Sequence, residues 1–148
     1  MEKHLQSLAE FEEEARAFTE TLSPKKDGAF LVILSGELGA GKTAFVKTLA
    51  KTLGVSGEIT SPTFVLEKVY DLTPKGSEAS FGRLIHMDAY RLEGGAELAP
   101  LRFEQLMQES KNLIMLEWPE KVVDALPTAS VHISIQVLSD GSRRISYE

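Results

Sequence analysis

Residues 29–43 read AFLVILSGELGAGKT, an unbroken apolar run followed at once by three glycines, a lysine and a threonine. The apolar half has the length and uniform character of a strand that is buried on both faces, as in a parallel sheet. The second half matches the P-loop pattern G-x-x-x-x-G-K-[ST] at every fixed position, and it lies between a predicted strand and a predicted helix. The stretch therefore predicts an α/β fold with a phosphate-binding loop after a central strand.

The loop predicts a nucleotide site, because glycines let successive backbone N–H groups point into one concavity at a helix N-terminus. We expect Lys42, on an exposed loop, to reach the β- and γ-phosphates, and the Thr43 hydroxyl to ligate the accompanying Mg²⁺. The residues expected to line the nucleotide are Glu37, Leu38, Gly39, Ala40, Gly41, Lys42, Thr43 and Ala44.

Two further predicted strands end in carboxylates. NLIMLE ends in Glu117 and RLIHMD ends in Asp88, and either acid is also compatible with a solvated strand end. Glu117 is followed by a tryptophan and a proline, whereas Asp88 is followed by AYRLEGG, a segment that glycines would permit to move. We therefore assign metal holding to Glu117 with Thr43, and sensing of the nucleotide to Asp88. The predicted catalytic set is Lys42, Glu117 and Asp88.

Two neighbouring residues are interpreted as structural. His86 is interpreted as a satisfied buried histidine rather than a donor to one of the acids. Trp118 is interpreted as a packing residue. His4 and His132 lack any metal-ligand spacing with each other, so no zinc site is predicted.

Composition limits the remaining possibilities. The chain has 148 residues, which suits a single domain over residues 1–148, and its 16 basic and 22 acidic residues leave a formal charge of −6. This charge argues against a broad surface that binds phosphates, so we expect no DNA binding and only indirect contact with RNA.

Cysteine is absent, which excludes thiolate chemistry. The start of the chain lacks signal-peptide character and no apolar run approaches about 20 residues, so we expect a cytoplasmic protein without membrane contact.

The rest of the pattern completes the expected fold class. It is a single P-loop NTPase domain whose central mixed sheet has parallel core strands and a C-terminal antiparallel hairpin, flanked by helices. Glutamates 12–14 are expected to face water on the first helix, and Gly54 is expected to cap the second. The predicted helices are 5–22, the segment after the P-loop, 96–109 and 119–126, and the predicted strands are 29–34, 63–70, 83–88, 112–117, 131–137 and 143–147.

Several functions share such a loop. A GTPase would show an Asn-Lys-x-Asp guanine reader and an Asp-x-x-Gly switch, and the sequence contains neither. A small-molecule kinase usually carries an arginine-rich lid, whereas Arg83, Arg91 and Arg102 are scattered here. An ATPase, a nucleotide-dependent interaction switch with negligible hydrolysis, and a small-molecule kinase all remain open from the residues alone.

Four motifs occur together in order: GELGAGKT at 36–43, TSPTF at 60–64, HMDAYRL at 86–92 and EWPE at 117–120. In this combination the chain resembles the TsaE family, the P-loop ATPase of bacterial tRNA threonylcarbamoyladenosine biosynthesis. The resemblance implies binding of ATP or ADP with Mg²⁺. It also implies action with TsaB and TsaD proteins that modify the adenosine beside the anticodon of tRNAs reading ANN codons.

The resemblance also implies roles for particular residues. It makes TSPTF and HMDAYRL segments that sense the nucleotide, with Thr63 near the γ-phosphate, and it places Arg143 near the base. Relatives often carry aspartate in place of Glu37 and threonine in place of Ala44. A threonine common in the family's first helix would fall near Phe11 in this sequence. The resemblance therefore does not assign the residues of the base pocket.

Overall fold

The computed structural model describes residues 1–62, 66–72 and 80–148. Within them the chain forms strands, α-helices and short 3₁₀ segments. The strands are β1 Glu2–Leu5, β2 Phe30–Ser35, β3 Glu67–Asp71, β4 Arg83–Asp88, β5 Asn112–Glu117, β6 Val131–Val137 and β7 Arg143–Tyr147. The α-helices are α1 Leu8–Glu20, α2 Lys42–Thr52 and α3 Phe103–Met107.

The described strands form one seven-stranded sheet in the order β1-β7-β6-β2-β5-β4-β3. Strand β2 pairs in parallel with β5 and β6, and β4 pairs in parallel with β5. The outer pairings, β3 with β4, β6 with β7 and β1 with β7, are antiparallel. The expected fold class of a parallel core with a C-terminal antiparallel hairpin is thus confirmed. Because β2, β4 and β5 run the same way, their carboxyl ends meet at one edge of the sheet.

The central strands are covered on both faces. Helices α1 and α2 pack on one face, where Phe11 of α1 meets Phe45 of α2 edge to face at 6.0 Å between ring centroids. The 3₁₀ segment Gly95–Leu101 and helix α3 cover the other face. Leu31 and Val32 in β2 are fully buried on opposite faces, which explains the unbroken apolar run that predicted this strand.

The first helix begins later than predicted, at Leu8 rather than at residue 5. Ser7 caps it by accepting the Glu10 N–H at 3.2 Å, and the Glu10 carboxylate accepts the Gln6 N–H at 2.5 Å. Residues 2–5 instead form β1, which the sequence analysis missed, and this strand pairs with β7 at the other end of the chain. The pairing places Leu5 and Ser7 beside the P-loop.

One glutamate of that helix is buried, contrary to the prediction. Glu14 accepts a hydrogen bond from the Tyr147 hydroxyl at 3.1 Å, and it forms an ion pair with the Lys3 ammonium at 3.0 Å. Burial raises the pKa of Tyr147 above its ordinary value, and the adjacent Glu14 carboxylate adds to that shift. The first helix is therefore fixed to both β1 and β7 by polar contacts.

Other predicted elements differ in detail. The predicted helix 96–109 is a 3₁₀ segment followed by α3, because Pro100 interrupts the hydrogen bonding and Arg102 adopts a left-handed conformation at φ 58°. The predicted helix 119–126 is two 3₁₀ turns, Pro119–Lys121 and Val123–Ala125. Strand β3 begins at Glu67, and residues 63–65 of the predicted strand lie outside the described residues.

Gly54 ends α2 as expected. Its φ is 95°, its N–H donates to Lys51 O and the Val55 N–H donates to Ala50 O, which is a Schellman arrangement. In the part of the chain that the structure describes, every helix is too short or too polar to cross a lipid bilayer.

Candidate functional site

The P-loop connects β2 to α2 in the conformation that the glycines permit. Gly36 has φ 157°, and a Cβ there would lie 2.6 Å from the backbone oxygen of Ile135 on β6. Gly41 has φ 119°, and a Cβ there would lie 3.0 Å from the Phe11 ring. The N-cap of α2 is Gly41, which has no side chain to bond the first backbone N–H groups, so these groups suit an anionic ligand at this helix end.

Lys42 lies in the mouth of this loop and is 4% exposed, so the expectation of an exposed lysine is wrong. Its ammonium donates hydrogen bonds to the backbone oxygens of Gly36 and Glu37, the latter at 3.0 Å. It also lies 4.1 Å from the centroid of the Trp118 ring. The lysine thus folds back over its own loop, where carbonyl dipoles and an aromatic face stabilise the charge.

Burial lowers the pKa of Lys42 from its ordinary value, and the carboxylates of Glu117, Glu120 and Asp88 oppose part of that shift. The carboxylates that line the same cavity therefore favour the charged form that a polyphosphate would meet.

Thr43 and Glu117 meet directly. The Thr43 hydroxyl lies 3.0 and 2.9 Å from the two carboxylate oxygens of Glu117, although the residues are 74 positions apart in the chain. Helix α2 supplies the hydroxyl and the end of β5 supplies the buried acid. The structure thus brings together the two residues that the sequence analysis assigned to the metal.

His86 also contacts this carboxylate. Its Nε2 lies 2.5 Å from Glu117 Oε2, and the histidine side chain is fully buried. Its Nδ1 has no hydrogen-bond partner among the described residues. The interpretation of His86 as a satisfied histidine that does not serve the acids is therefore wrong, because one ring nitrogen is bonded to Glu117 and the other is unsatisfied.

Asp88 lies beside Glu117, since the two residues are paired in the parallel register of β4 and β5. Its carboxylate accepts the Tyr90 N–H at 2.9 Å. The next residue, Ala89, is fully buried and donates its N–H to the Glu117 backbone oxygen at 3.0 Å. The start of the segment that was expected to move is thus fixed to the end of β5.

Two of the cavities beside the P-loop share Gly41 and Ala44 as lining residues. The first, here called the lysine-side cavity, has a volume of about 300 Å³. Its lining residues are Leu38, Gly39, Gly41, Lys42, Thr43, Ala44, Asp88, Tyr90, Glu117 and Trp118. It therefore holds all three predicted catalytic residues.

The second cavity, here called the arginine-side cavity, has a volume of about 290 Å³. Arg143 reaches it from β7 and donates from Nε to Ala40 O at 2.8 Å and from Nη1 to Gly141 O at 2.7 Å. The lining residues are Leu5, Gln6, Ser7, Leu8, Phe11, Ala40, Gly41, Ala44, Gly141 and Arg143. The structure thus brings Arg143 and Phe11 to the same side of the loop.

The remaining predicted residues lie on the loop itself or outside the described part of the chain. Glu37, Leu38, Gly39 and Ala44 are exposed, and Ala40 is buried beneath the loop. Thr63, which the resemblance puts near the γ-phosphate, lies outside the described residues.

Part of this site was not predicted from the sequence. Trp118 contacts both Lys42 and Tyr90, with its ring 4.9 Å from the Tyr90 ring between centroids. Its position directly after Glu117 was the available signal. Leu5 and Ser7 carry no comparable signal, because they reach the loop through the unpredicted pairing of β1 with β7.

The donors at the lysine-side cavity suit a small hard cation. Thr43, Glu117 and Asp88 supply only oxygen atoms, which Mg²⁺ prefers. The described residues contain no cluster of three or more His, Asp or Glu side chains that would enclose a metal by themselves. Mg²⁺ is commonly held by one or two protein oxygens together with waters and substrate phosphates.

Comparison with known proteins gives a consistent family. The model of the family described as threonylcarbamoyl adenosine biosynthesis protein TsaE matches residues 5–145. A Treponema pallidum protein named tRNA threonylcarbamoyladenosine biosynthesis protein TsaE is 42% identical over 118 residues, covering 78% of this chain and 79% of its own. A Rickettsia bellii protein of the same name is 35% identical over 143 residues, covering 93% and 90%.

A solved structure shows the same fold. The crystal structure of Bacillus subtilus YdiB superposes with a TM-score of 0.75 at 24% sequence identity, over 99% of this chain and 83% of that one.

Proposed function

The chain belongs to the TsaE family of threonylcarbamoyl adenosine biosynthesis proteins, and we propose that it is a cytoplasmic Mg²⁺-dependent P-loop ATPase. Hydrolysis of ATP by this protein would support threonylcarbamoyl modification of the adenosine next to the anticodon in tRNAs that read ANN codons. The observation that carries the proposal is the contact of Thr43 with Glu117 at the mouth of the P-loop.

Binding of the phosphates follows from the loop. The uncapped N–H groups of α2 face the lysine-side cavity, and the positive end of the helix dipole favours an anion there. Lys42 would exchange its bonds to the Gly36 and Glu37 oxygens for bonds to the β- and γ-phosphates. Its ammonium would then oppose the charge that develops on the transferred phosphoryl group.

Thr43 and Glu117 would hold Mg²⁺ beside the phosphates, the hydroxyl from α2 and the carboxylate from β5. When bound, the ion neutralises phosphate charge and fixes the geometry of the γ-phosphate. Asp88 adds a second carboxylate, and it holds the turn that leads to Tyr90. This arrangement makes Asp88 the group through which the segment around Tyr90 would respond to the phosphates.

The nucleoside would occupy the arginine-side cavity, because that cavity begins where the phosphate loop ends, at Gly41 and Ala44. Its walls include the apolar side chains of Leu5 and Phe11, which suit the face of a purine. Arg143 fixes the loop to β7 at this cavity through Ala40.

The partners would be TsaB and TsaD proteins, with tRNA reached only through that complex. Two features support indirect contact with RNA. The formal charge of −6 disfavours direct binding of a polyanion. Leu38 and Tyr90, at the rim of the lysine-side cavity, are 76% and 41% exposed and give a partner protein apolar surface at the nucleotide site.

Measurement of ATP turnover by the purified chain, alone and with its TsaB and TsaD counterparts, tests the proposal. Release of phosphate that the partners stimulate supports an ATPase that cycles in the complex. Binding of ATP without turnover in either condition would instead make the protein a nucleotide-dependent switch. Transfer of phosphate to an added metabolite would identify a kinase.

A further inference from the structure

His86 combines three properties that its place in the core does not require. It is fully buried in the middle of β4, its Nε2 lies 2.5 Å from Glu117 Oε2, and its Nδ1 has no partner among the described residues. A buried polar atom without a hydrogen bond costs free energy, about 1–3 kcal/mol. An apolar residue would fill this position without that cost, so the contact with Glu117 is the feature that explains a histidine here.

The hydrogen-bond pattern selects one tautomer. A proton on Nε2 lies on the line to the Glu117 carboxylate, whereas a proton on Nδ1 would be buried without an acceptor among the described residues. The arrangement therefore favours the Nε2–H form, in which the ring donates one hydrogen bond to the acid.

The bond defines where the carboxylate points. Glu117 Oε2 accepts hydrogen bonds from His86 of β4 and from Thr43 of α2, and Oε1 also accepts from Thr43. The carboxylate is therefore held from two sides by residues of the chain itself. A carboxylate fixed in this way loses less conformational freedom when it binds a cation with strict octahedral geometry.

We propose that His86 is a positioning residue: its Nε2–H orients the Glu117 carboxylate toward Thr43 and so presets the magnesium position. The inference rests on the proposed function, in which Glu117 holds the ion. His86 does not contact the nucleotide in this proposal, and it acts only through Glu117.

Three variants separate orientation from packing. Glutamine carries its amide nitrogen one bond farther from Cγ than asparagine does, so His86→Gln places an N–H donor near the position of Nε2. His86→Asn places a donor near Nδ1, where it cannot reach Glu117. His86→Leu fills the site without any donor. Circular dichroism and melting temperature show which variants are folded.

The first measurement needs neither metal nor nucleotide. Nitrogen-15 chemical shifts of the imidazole rings in the free protein report the tautomer, and comparison with the His86→Gln spectrum assigns the His86 signals among the three histidines of the chain. We expect the Nε2–H form, with a shift that changes in Glu117→Gln. The Nδ1–H form, or a signal insensitive to Glu117→Gln, would overturn the inference whatever the protein hydrolyses.

The second measurement is the Mg²⁺ concentration that half-saturates binding of a non-hydrolysable ATP analogue, followed by fluorescence of Trp118, the single tryptophan. We expect His86→Leu and His86→Asn to raise this Mg²⁺ concentration about tenfold or more. In His86→Gln it should stay within about threefold of the wild-type value. Affinity for the analogue without metal should be the same in all four proteins. Equal Mg²⁺ requirements in wild type and His86→Asn, or no rescue by glutamine, would contradict the inference.

The two measurements also keep this inference distinct from the proposed function. Wild-type binding that does not depend on Mg²⁺ would count against Glu117 as the metal residue and hence against the proposed function. The tautomer and its response to Glu117→Gln still decide whether His86 orients the acid.

Discussion

The two cavities beside the P-loop are built from different kinds of contact. In the lysine-side cavity, charged and hydroxyl groups contact one another directly, as Thr43 and Glu117 do at 2.9 Å. In the arginine-side cavity, Leu5 and Phe11 supply apolar walls. The hydrogen bonds that Arg143 makes there among the described residues go to backbone oxygens.

This difference in contacts leads us to expect that the two sides contribute differently to the free energy of nucleotide binding. A buried charge that loses its partner is costly, so single substitutions at the lysine side should have large effects. The apolar walls that Leu5 and Phe11 supply at the arginine side would contribute through many weak contacts, each worth little. We therefore expect affinity and catalysis to depend on the lysine side, and the choice of base to depend on the arginine side.

The largest effect is expected for Lys42→Ala. The substitution removes the only cation that lines the lysine-side cavity among the described residues, so ATP affinity should fall at least about 10³-fold, or about 4 kcal/mol. Isothermal titration calorimetry measures the change. Lys47→Ala is the matched control, because Lys47 is exposed on the same helix and should bind ATP like the wild type. Near-normal affinity in a folded Lys42→Ala protein would rule out the phosphate site.

Glu117→Ala should have the next largest effect. ATP should still bind, but Mg²⁺-dependent hydrolysis should fall by about 3 to 4 kcal/mol of transition-state stabilisation, by analogy with the loss of one preorganised electrostatic group. Steady-state turnover at saturating ATP measures this loss.

Asp88→Ala is the comparison for that variant. It should reduce turnover less than Glu117→Ala does, and it should weaken the dependence of partner binding on the nucleotide, because Asp88 holds the turn at Tyr90. Pull-down with ATP and with ADP measures that dependence. If Asp88→Ala abolishes the metal requirement while Glu117→Ala retains it, the two roles are reversed.

Arg143→Ala should have a smaller effect from the other side of the loop. It removes the bond to Ala40 O, and ATP affinity should fall about fivefold, which corresponds to about 1 kcal/mol. Binding of inorganic triphosphate should change less than binding of ATP, since the lysine side is intact. Arg144→Ala controls for loss of charge, because Arg144 is exposed and does not line this cavity. An equal loss in both variants would remove Arg143 from the nucleoside site.

The same contrast explains what could be predicted from the sequence. The lysine side follows from local rules, because a strand, a glycine loop and a helix are consecutive in the chain and parallel strand ends meet at one edge. The arginine side depends on the pairing of β1 with β7, between residues at opposite ends of the chain. The hydrophobic periodicity and the strand propensity of residues 2–5 do not specify which strand this segment pairs with.

Within the predictable half, the failures concern the surroundings of each residue. Lys42 was expected on an exposed loop, but it is the first residue of α2 and is buried beside Trp118, whose backbone has φ 60° and whose N–H donates to Leu34 O at 3.2 Å. His86 was placed correctly on a strand, yet its bond to Glu117 depends on the register between β4 and β5. Sequence spacing fixes which residues share a strand, but it does not fix their distances across strands.

The smallest expected effect concerns the base. Guanine presents an N1–H and a 2-amino group, and strong recognition of both requires an acceptor such as a carboxylate. The described residues that line the arginine-side cavity include no aspartate or glutamate. The neutral oxygens of Gln6 and Ser7 would accept from those donors less strongly than a carboxylate would, so we expect ATP to bind about five- to tenfold more tightly than GTP, about 1 to 1.4 kcal/mol.

Competition titrations with the two nucleotides measure this preference, and Phe11→Leu provides its control. Phe11 contributes an aromatic face that does not distinguish the purines, so the substitution should weaken ATP and GTP by the same factor and leave their ratio unchanged. A GTP affinity equal to or above that of ATP would show that the base lies outside this cavity. A ratio that changes in Phe11→Leu would instead mean that the ring contributes to base selection, because a shared stacking contact cancels from the difference between two nucleotides.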